Sequence, residues 1–328
     1  MDKHVKTDRP CISIVMSVYD PRLDWLQEQL ESLNRQTYPN LELRIADDCS
    51  PTVPLECIEK LVCQCITSFP YTIQRNPKNL GYNASFQNLT ALAQGKYIAY
   101  CDQDDIWLPE KLTSLYDSMM AEKSELACSD MYIIDGEGKR IANSITEIRR
   151  HHIFRSGEGL CSTLWYSNFA SGCALLVNST TAKEAIPFNP YMYYDHYITL
   201  FSANKGRISF VDRPLIMHRE HGKNQSSTMQ GVVDKDSYIR LRIETVCRAV
   251  EWLSDHFPSP PELKAVLEEG RIWMEARLAY ANGNHKYAKA IWKHRKISPA
   301  ASLFEIAMPW MPNIVFKAAI WASSKNYI

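Results

Sequence analysis

No stretch of this chain supplies the roughly eighteen consecutive apolar residues that a bilayer-spanning helix needs, so the sequence predicts no transmembrane segment. An excess of charge of either sign is missing too. Lysine plus arginine number 37, aspartate plus glutamate number 37, and the formal net charge is +0, which removes the electrostatic case for nucleic acid as the main partner. Met1 to Pro10 are polar and charged and lack the apolar core of a secretory leader, so export by that route is not expected. Ten cysteines are present but scattered: Cys101, Cys128 and Cys173 stand in apolar contexts, and Cys63 and Cys65 have no second pair with which to form a zinc site. Reduced thiols and a cytoplasmic location are the expectation. The chain also lacks a His-Glu-x-x-His zinc motif, a Walker-type phosphate loop and a Gly-x-Ser-x-Gly nucleophile elbow.

What is present is an ordinary globular composition, with 45% hydrophobic and 23% charged residues over 328 positions. That length holds one large α/β domain with an accessory region, or two domains. Along the first half, apolar runs alternate with helical periodicity. Cys11 to Val18 reads as a strand, Trp25 to Gln36 as a helix, Leu41 to Ala46 as a strand, Leu55 to Phe69 as a helix and Tyr71 to Gln74 as a short strand. A helix over Ala84 to Ala93, stopped by Gly95, precedes the strand Tyr97 to Cys101. Such alternation predicts a mainly parallel sheet with crossover helices and ligands at the carboxyl ends of its strands. Further strands are expected near Leu126 to Met131, Ala174 to Val177 and Ile208 to Val211, with a helix over Tyr194 to Ala203. Beyond about Asp234 the pattern is helical, which divides the chain into an expected α/β domain at 1–233 and a helical region at 234–328.

Four groups of residues could carry chemistry. Asp102-Gln103-Asp104-Asp105 follows the strand ending at Cys101, and carboxylates at alternate positions there could bridge a hard divalent cation to a diphosphate; the alternative is a solvated acidic loop. Asp47-Asp48 ends another strand and could accept a hydrogen bond from the imide of a pyrimidine, or simply form an Asx turn. Asp195 follows Tyr193 and Tyr194, aromatics that could stack on a sugar ring, and could serve as a general base or as a helix cap. In His218-Arg219-Glu220-His221, His221 could complete a metal site and Arg219 neutralise phosphate, although paired histidines are also common packing residues.

In order, the segments Cys11 to Pro21, Asp47-Asp48-Cys49-Ser50, Asn79-Leu80-Gly81 and Asp102 to Lys111, continued by Gly172-Cys173, Asp195 and His221-x-x-Asn224, resemble the family 2 glycosyltransferases of GT-A fold over about the first 230 residues. The resemblance implies an inverting, metal-dependent enzyme that moves a sugar from a nucleotide-sugar donor to a glycan or lipid-linked acceptor. It implies that Tyr19, Asp47, Asp48 and Asn79 border the nucleotide, with Asp102 and Arg219 toward the diphosphate. It further implies that Asp102, Asp104 and His221 hold Mg²⁺ or Mn²⁺ and that Asp195 is the base. The form Asp-Gln-Asp-Asp-Ile-Trp with a late His-x-x-Asn resembles the bacterial rhamnosyltransferase-like subgroup, whose donor is dTDP-L-rhamnose. Cys49 departs from the usual glycine, His196 from the usual aromatic, and the Gln-x-x-Arg-Trp motif of processive synthases is absent. A nucleotidyltransferase and a non-catalytic carbohydrate-binding scaffold are the rival readings. Near the C-terminus, Lys286, Lys289, Lys293, His294, Arg295 and Lys296 precede the apolar stretch Leu303 to Trp321, which suggests either peripheral contact with the inner face of a membrane or packing against a subunit or the catalytic domain.

Overall fold

The first apolar run forms β1 (Ile12–Val18), buried at almost every position, as expected of an interior strand in a parallel sheet. The structure, a computed structural model, describes residues 9–149, 151–221, 229 and 231–324. After β1 come α1 (Leu23–Asn34), β2 (Leu41–Asp47), α2 (Leu55–Cys65), β3 (Tyr71–Arg75), α3 (Tyr82–Leu92) and β4 (Tyr97–Cys101). The helices earn their places by spacing. Leu26, Leu30 and Leu33 of α1, and Ile58 and Val62 of α2, recur every three or four residues and enter the same apolar core as Ile14, Met16, Leu43 and Ile45.

β1 lies between β2 and β4, parallel to both, and β3 is parallel to β2. Val18 pairs with Asp47 and Met16 with Cys101, so the carboxyl ends of β1, β2 and β4 finish side by side. Gly95 is required at the opposite edge, where a Cβ would stand 2.6 Å from the backbone nitrogen of Ser13.

The second half of the sheet is mixed. β5 (Ile106–Trp107), α4 (Lys111–Glu122), β6 (Leu126–Ile134), β7 (Arg140–Ala142), β8 (Leu175–Asn178), the helix Tyr194–Lys205 and β9 (Ile208–Arg219) follow in order. The strand order is β3-β2-β1-β4-β8-β6-β9-β5, with β7 beside β6. β8 is antiparallel to β4 and β6, whereas β9 is parallel to β6. β9 runs well past Val211 despite Asp212-Arg213-Pro214, because the ladder with β6 shifts register on either side of Asp130, opposite the proline. This extension carries His218 and Arg219 to the edge where β4 ends.

The described residues fall into two compact units: one reaches Phe188 and resumes over Tyr193–His221, and the other comprises Asn189–Met192 with the residues after His221. The second unit is helical, with Thr245–His256, Pro261–Ala281, Ala288–Lys293, Pro299–Ala307 and Asn313–Ser324 as its main pieces. Its interior holds an ion pair between Arg277 and Glu305 at 2.5 Å, and the Tyr238 hydroxyl donates to the same carboxylate at 2.9 Å. Among the described residues, no helix is long and apolar enough to cross a membrane.

Candidate active site

The loop after β4 is fixed on both sides by its own side chains. The Gln103 Oε1 accepts from the Tyr19 N–H at 2.8 Å, and its amide donates to the Tyr19 carbonyl at 3.2 Å, tying the loop to the end of β1. Asp105 is fully buried and accepts from His218 Nδ1 at 2.9 Å and from the Arg219 N–H at 3.0 Å, tying the loop to the end of β9. Burial alone would suppress both charges. Each partner outweighs it for the other, so the Asp105 carboxyl titrates below its ordinary value and the His218 imidazole rises to about 9.

Between these anchors stand Asp102 and Asp104. Asp104 Oδ2 lies 2.8 Å from His221 Nε2, so two of the three expected metal residues are in direct contact. Among the described residues nothing donates to the Asp102 carboxyl. It is pushed up to about 8, first by burial and then by the negative charges of Asp105 and Asp104. A hard cation relieves that kind of crowding, and carboxylate oxygens with one imidazole are donors that Mg²⁺ or Mn²⁺ accepts. The residues present therefore fit such an ion. A second grouping, not foreseen from sequence, is Asp105, Cys173 and His218, whose donor atoms lie within 4.8 Å of one another. It is entirely buried and already internally paired, with the Lys111 ammonium bonded to the Cys173 carbonyl beside it.

Asp195 opens the helix Tyr194–Lys205, where the unpaired N–H groups of the first turn favour an acid. Its Oδ2 accepts from the Gly172 N–H at 2.9 Å and its Oδ1 from the His196 N–H at 2.6 Å. Burial pushes the carboxyl up to about 6, with these two bonds opposing the rise. Its charge is also felt at Asp102, which places the two in one electrostatic neighbourhood. Gly172 can come so close because it has no side chain; a Cβ there would collide with the Tyr194 ring. Asn83 Oδ1 accepts from the Tyr194 N–H at 2.9 Å, and the partly exposed rings of Tyr82 and Tyr193 stack at 5.7 Å and 22°.

The other expected residues are placed less openly. Both Asp47 and Asp48 are buried. Asp47 pairs with Arg75 at 2.9 Å and accepts from the Ser50 N–H, while Asp48 takes Asn76 Nδ2, Leu80 N–H and Gly81 N–H, each at 2.8 Å. In the structure these oxygens shape the strand-end loops rather than facing outward. Asn79 accepts from the Gly81 N–H in an Asx turn, and Tyr19 is exposed at the same edge. Arg219 is enclosed as well. It is only 1% exposed, with its guanidinium bonded to Glu28 at 2.5 Å and to the Asp104 carbonyl at 2.9 Å, over the Trp25 ring. In these contacts the guanidinium braces the acidic loop. Asn224 lies outside the described residues.

Sequence reasoning did not single out Gln103, Asn83 or the Gly172 N–H as positioning groups. Gln103 had a signal in its place between the two acids; the others depend on contacts 111 and 23 residues away in the chain.

Comparison with known proteins supplies the class of chemistry. The profile described as glycosyl transferase family 2 matches residues 13–180, more than half of the chain. An uncharacterized glycosyltransferase of Methanocaldococcus jannaschii is 33% identical over 132 residues, which span 40% of this chain and 45% of that protein. The dTDP-rhamnosyl transferase RfbG of Shigella flexneri is 22% identical over 211 residues, 61% of this chain and 70% of its own length. Among solved structures, a mannosyltransferase from Pyrobaculum calidifontis in complex with GDP-Man and Mn²⁺ superposes with a TM-score of 0.58 at 15% identity, covering 98% of this chain and 88% of that one. The fold likeness extends over nearly the whole chain and the sequence likeness over the part that carries the acidic loop: this chain belongs to glycosyl transferase family 2 and is a glycosyltransferase of GT-A fold.

Proposed function

We propose that the chain transfers one sugar at a time, with inversion, from a nucleoside diphosphate donor to a hydroxyl of a cell-surface polysaccharide or lipid-linked glycan. The observation that carries this reading is the meeting of an unpartnered Asp102, an Asp104–His221 pair and a backbone-held Asp195 at one end of the sheet. Asp195 takes the proton from the acceptor hydroxyl as its oxygen attacks the anomeric carbon, and the bond to the diphosphate breaks on the opposite face. Asp102, Asp104 and His221 would hold Mg²⁺ or Mn²⁺, which supplies charge stabilisation to a departing diphosphate. Tyr19, Asn79 and the loops held by Asp47 and Asp48 border the base and ribose, while Arg219 keeps the acidic loop in place. The name of the Shigella protein and the GDP-Man complex of the Pyrobaculum enzyme support a nucleotide sugar as donor, and the former supports a dTDP-rhamnose in particular. In this reading residues 1–233 bind donor and perform transfer. The helical region 234–328 is membrane-peripheral or oligomerising, and the enzyme works at the cytoplasmic face of a membrane.

The test is to incubate the purified protein with a panel of nucleotide sugars, with Mn²⁺, Mg²⁺ or chelator, and to measure release of nucleoside diphosphate. Cation-dependent release from one donor, dTDP-rhamnose by preference, is expected. Undiminished release under chelator overturns the cation assignment, and no release from any donor overturns the transferase reading.

A further inference from the structure

The helix Pro299–Ala307 buries its polar residues Ser302 and Glu305 and leaves Leu303 exposed, the reverse of a helix that faces water. The interior reason is clear, since Glu305 answers Arg277 and Ser302 accepts from Trp273 Nε1 at 3.2 Å. The exterior is left apolar without an equivalent reason. The next helix, Asn313–Ser324, repeats the theme. Phe316 and Ile320, four apart, form its buried stripe, while Ile314, Lys317, Ala318 and Trp321, at spacings that share another face, lie outward. Ile314 is 80% exposed, Trp321 60%, and Trp310 between the two helices 68%.

Charge follows the same segment. Between Gly283 and Trp321 six lysines and arginines face a single acid, Glu305, and that acid is buried in its pair with Arg277. Lys286, Lys289, Lys293, Lys296 and Lys317 are all exposed. Within this segment the outward charge is thus positive, beside outward tryptophan and isoleucine; the neighbouring helix Pro261–Ala281 adds Glu269, 3.0 Å from His294.

We propose that this face seats the protein on an anionic lipid bilayer, with Trp310, Ile314 and Trp321 in the headgroup region and the lysines against lipid phosphates. Indole rings suit that boundary because one edge is apolar and the other donates a hydrogen bond. Long lysine stems cover apolar surface while their ammonium groups reach the charge above it. The helices lie along the surface, since none described is long and apolar enough to cross. A second copy of the chain is the poorer occupant, because a two-fold interface would set the same lysine-rich face against itself. The inference deepens the membrane placement proposed above and rests on it. Its test reads lipid binding alone, so its failure and a failure of the transferase assay are told apart.

Full-length protein is floated with vesicles of phosphatidylcholine alone and of equal parts phosphatidylcholine and phosphatidylglycerol. Flotation with the anionic vesicles only, weakened by salt, is expected. The double variant Trp310→Ser, Ile314→Ser should lose it by about tenfold or more, and Lys293→Gln, Lys296→Gln should weaken it and flatten its salt dependence. All four positions are exposed, and among the described residues only Trp310 touches other rings, those of His285 and Tyr280, so the variants should stay folded, a control read by circular dichroism. Failure to float, equal binding to neutral vesicles, or full binding by the folded tryptophan–isoleucine variant overturns the proposal. A dimer in light scattering that the same variant dissociates, without lipid binding, assigns the face to a second copy and overturns it as well.

Discussion

At the scale of single residues, Asp195 carries the sharpest expectation. As the proposed base it must be ionised to work, and burial has raised it to about 6. Transfer should therefore fall as pH drops through about 6 and level off above it. Asp195→Asn keeps the shape and leaves one oxygen to accept from a backbone N–H, yet removes basicity, so transfer should drop by roughly a hundredfold or more while donor affinity holds. Rate profiles of both forms, with donor binding by calorimetry, check this; a loss of donor binding would make Asp195 a donor residue instead. Cys49 offers a second test. It sits where the family resemblance leads us to expect glycine, and its φ of 63° lies in the left-handed region that a side chain resists. Cys49→Gly should thus stabilise the fold by about 1 kcal/mol, read from urea midpoints. The sequence registered an oddity at this residue without its physical meaning, which only the backbone angle supplies. Lys111 was less legible still: nothing about a lysine after Pro109-Glu110 announces that it is buried over the Trp107 ring with its pKa pushed down to about 7.

At the scale of elements, periodicity was a good guide wherever a strand or helix is buried for local reasons. The apolar runs at β1 and β4 and the spaced leucines of α1 were readable because each element declares its buried face by itself. β9 was not, because Asp212-Arg213-Pro214 looks like a turn and is tolerated only by the irregular ladder of its partner. The arrangement of α3 against the helix Tyr194–Lys205 was equally hidden, being made by Asn83 and by two tyrosines far apart in the chain. That pair beside Asp195 gives an element-level prediction. If the rings cradle the acceptor sugar, Tyr193→Ala should raise the acceptor KM by roughly tenfold, about 1.4 kcal/mol, with donor hydrolysis unchanged. Tyr193→Phe, which keeps the ring, should behave as wild type. Steady-state kinetics with acceptor varied at saturating donor makes the comparison, and an effect on donor hydrolysis instead would place the pair on the donor side.

At the scale of the whole molecule, the α/β alternation of the first half and the helical character of the last part were evident from sequence, as was the family. The partners of the acidic residues were not, because a chain displays which groups it has and conceals which of them it spends on itself. Asp47, Asp48 and Arg219 were all expected to face a ligand, and all are largely consumed in holding loops. The anchors of the acidic loop carry one more consequence, and it concerns time. Asp105 meets a residue 113 positions further along the chain, and Asp104 one 117 positions further. Loop closure over such distances is slow, because its entropic cost falls due before the contacts repay it. The parallel half of the sheet can form from neighbouring segments and give the acidic loop its Gln103 anchor on Tyr19, whereas the anchors at Asp105 and Asp104 are missing until β9 has joined β6. In refolding from denaturant, far-UV circular dichroism should therefore recover first and cation-dependent nucleotide binding afterwards, in a separate slower phase; simultaneous recovery would mean that the catalytic edge organises as early as the scaffold beneath it.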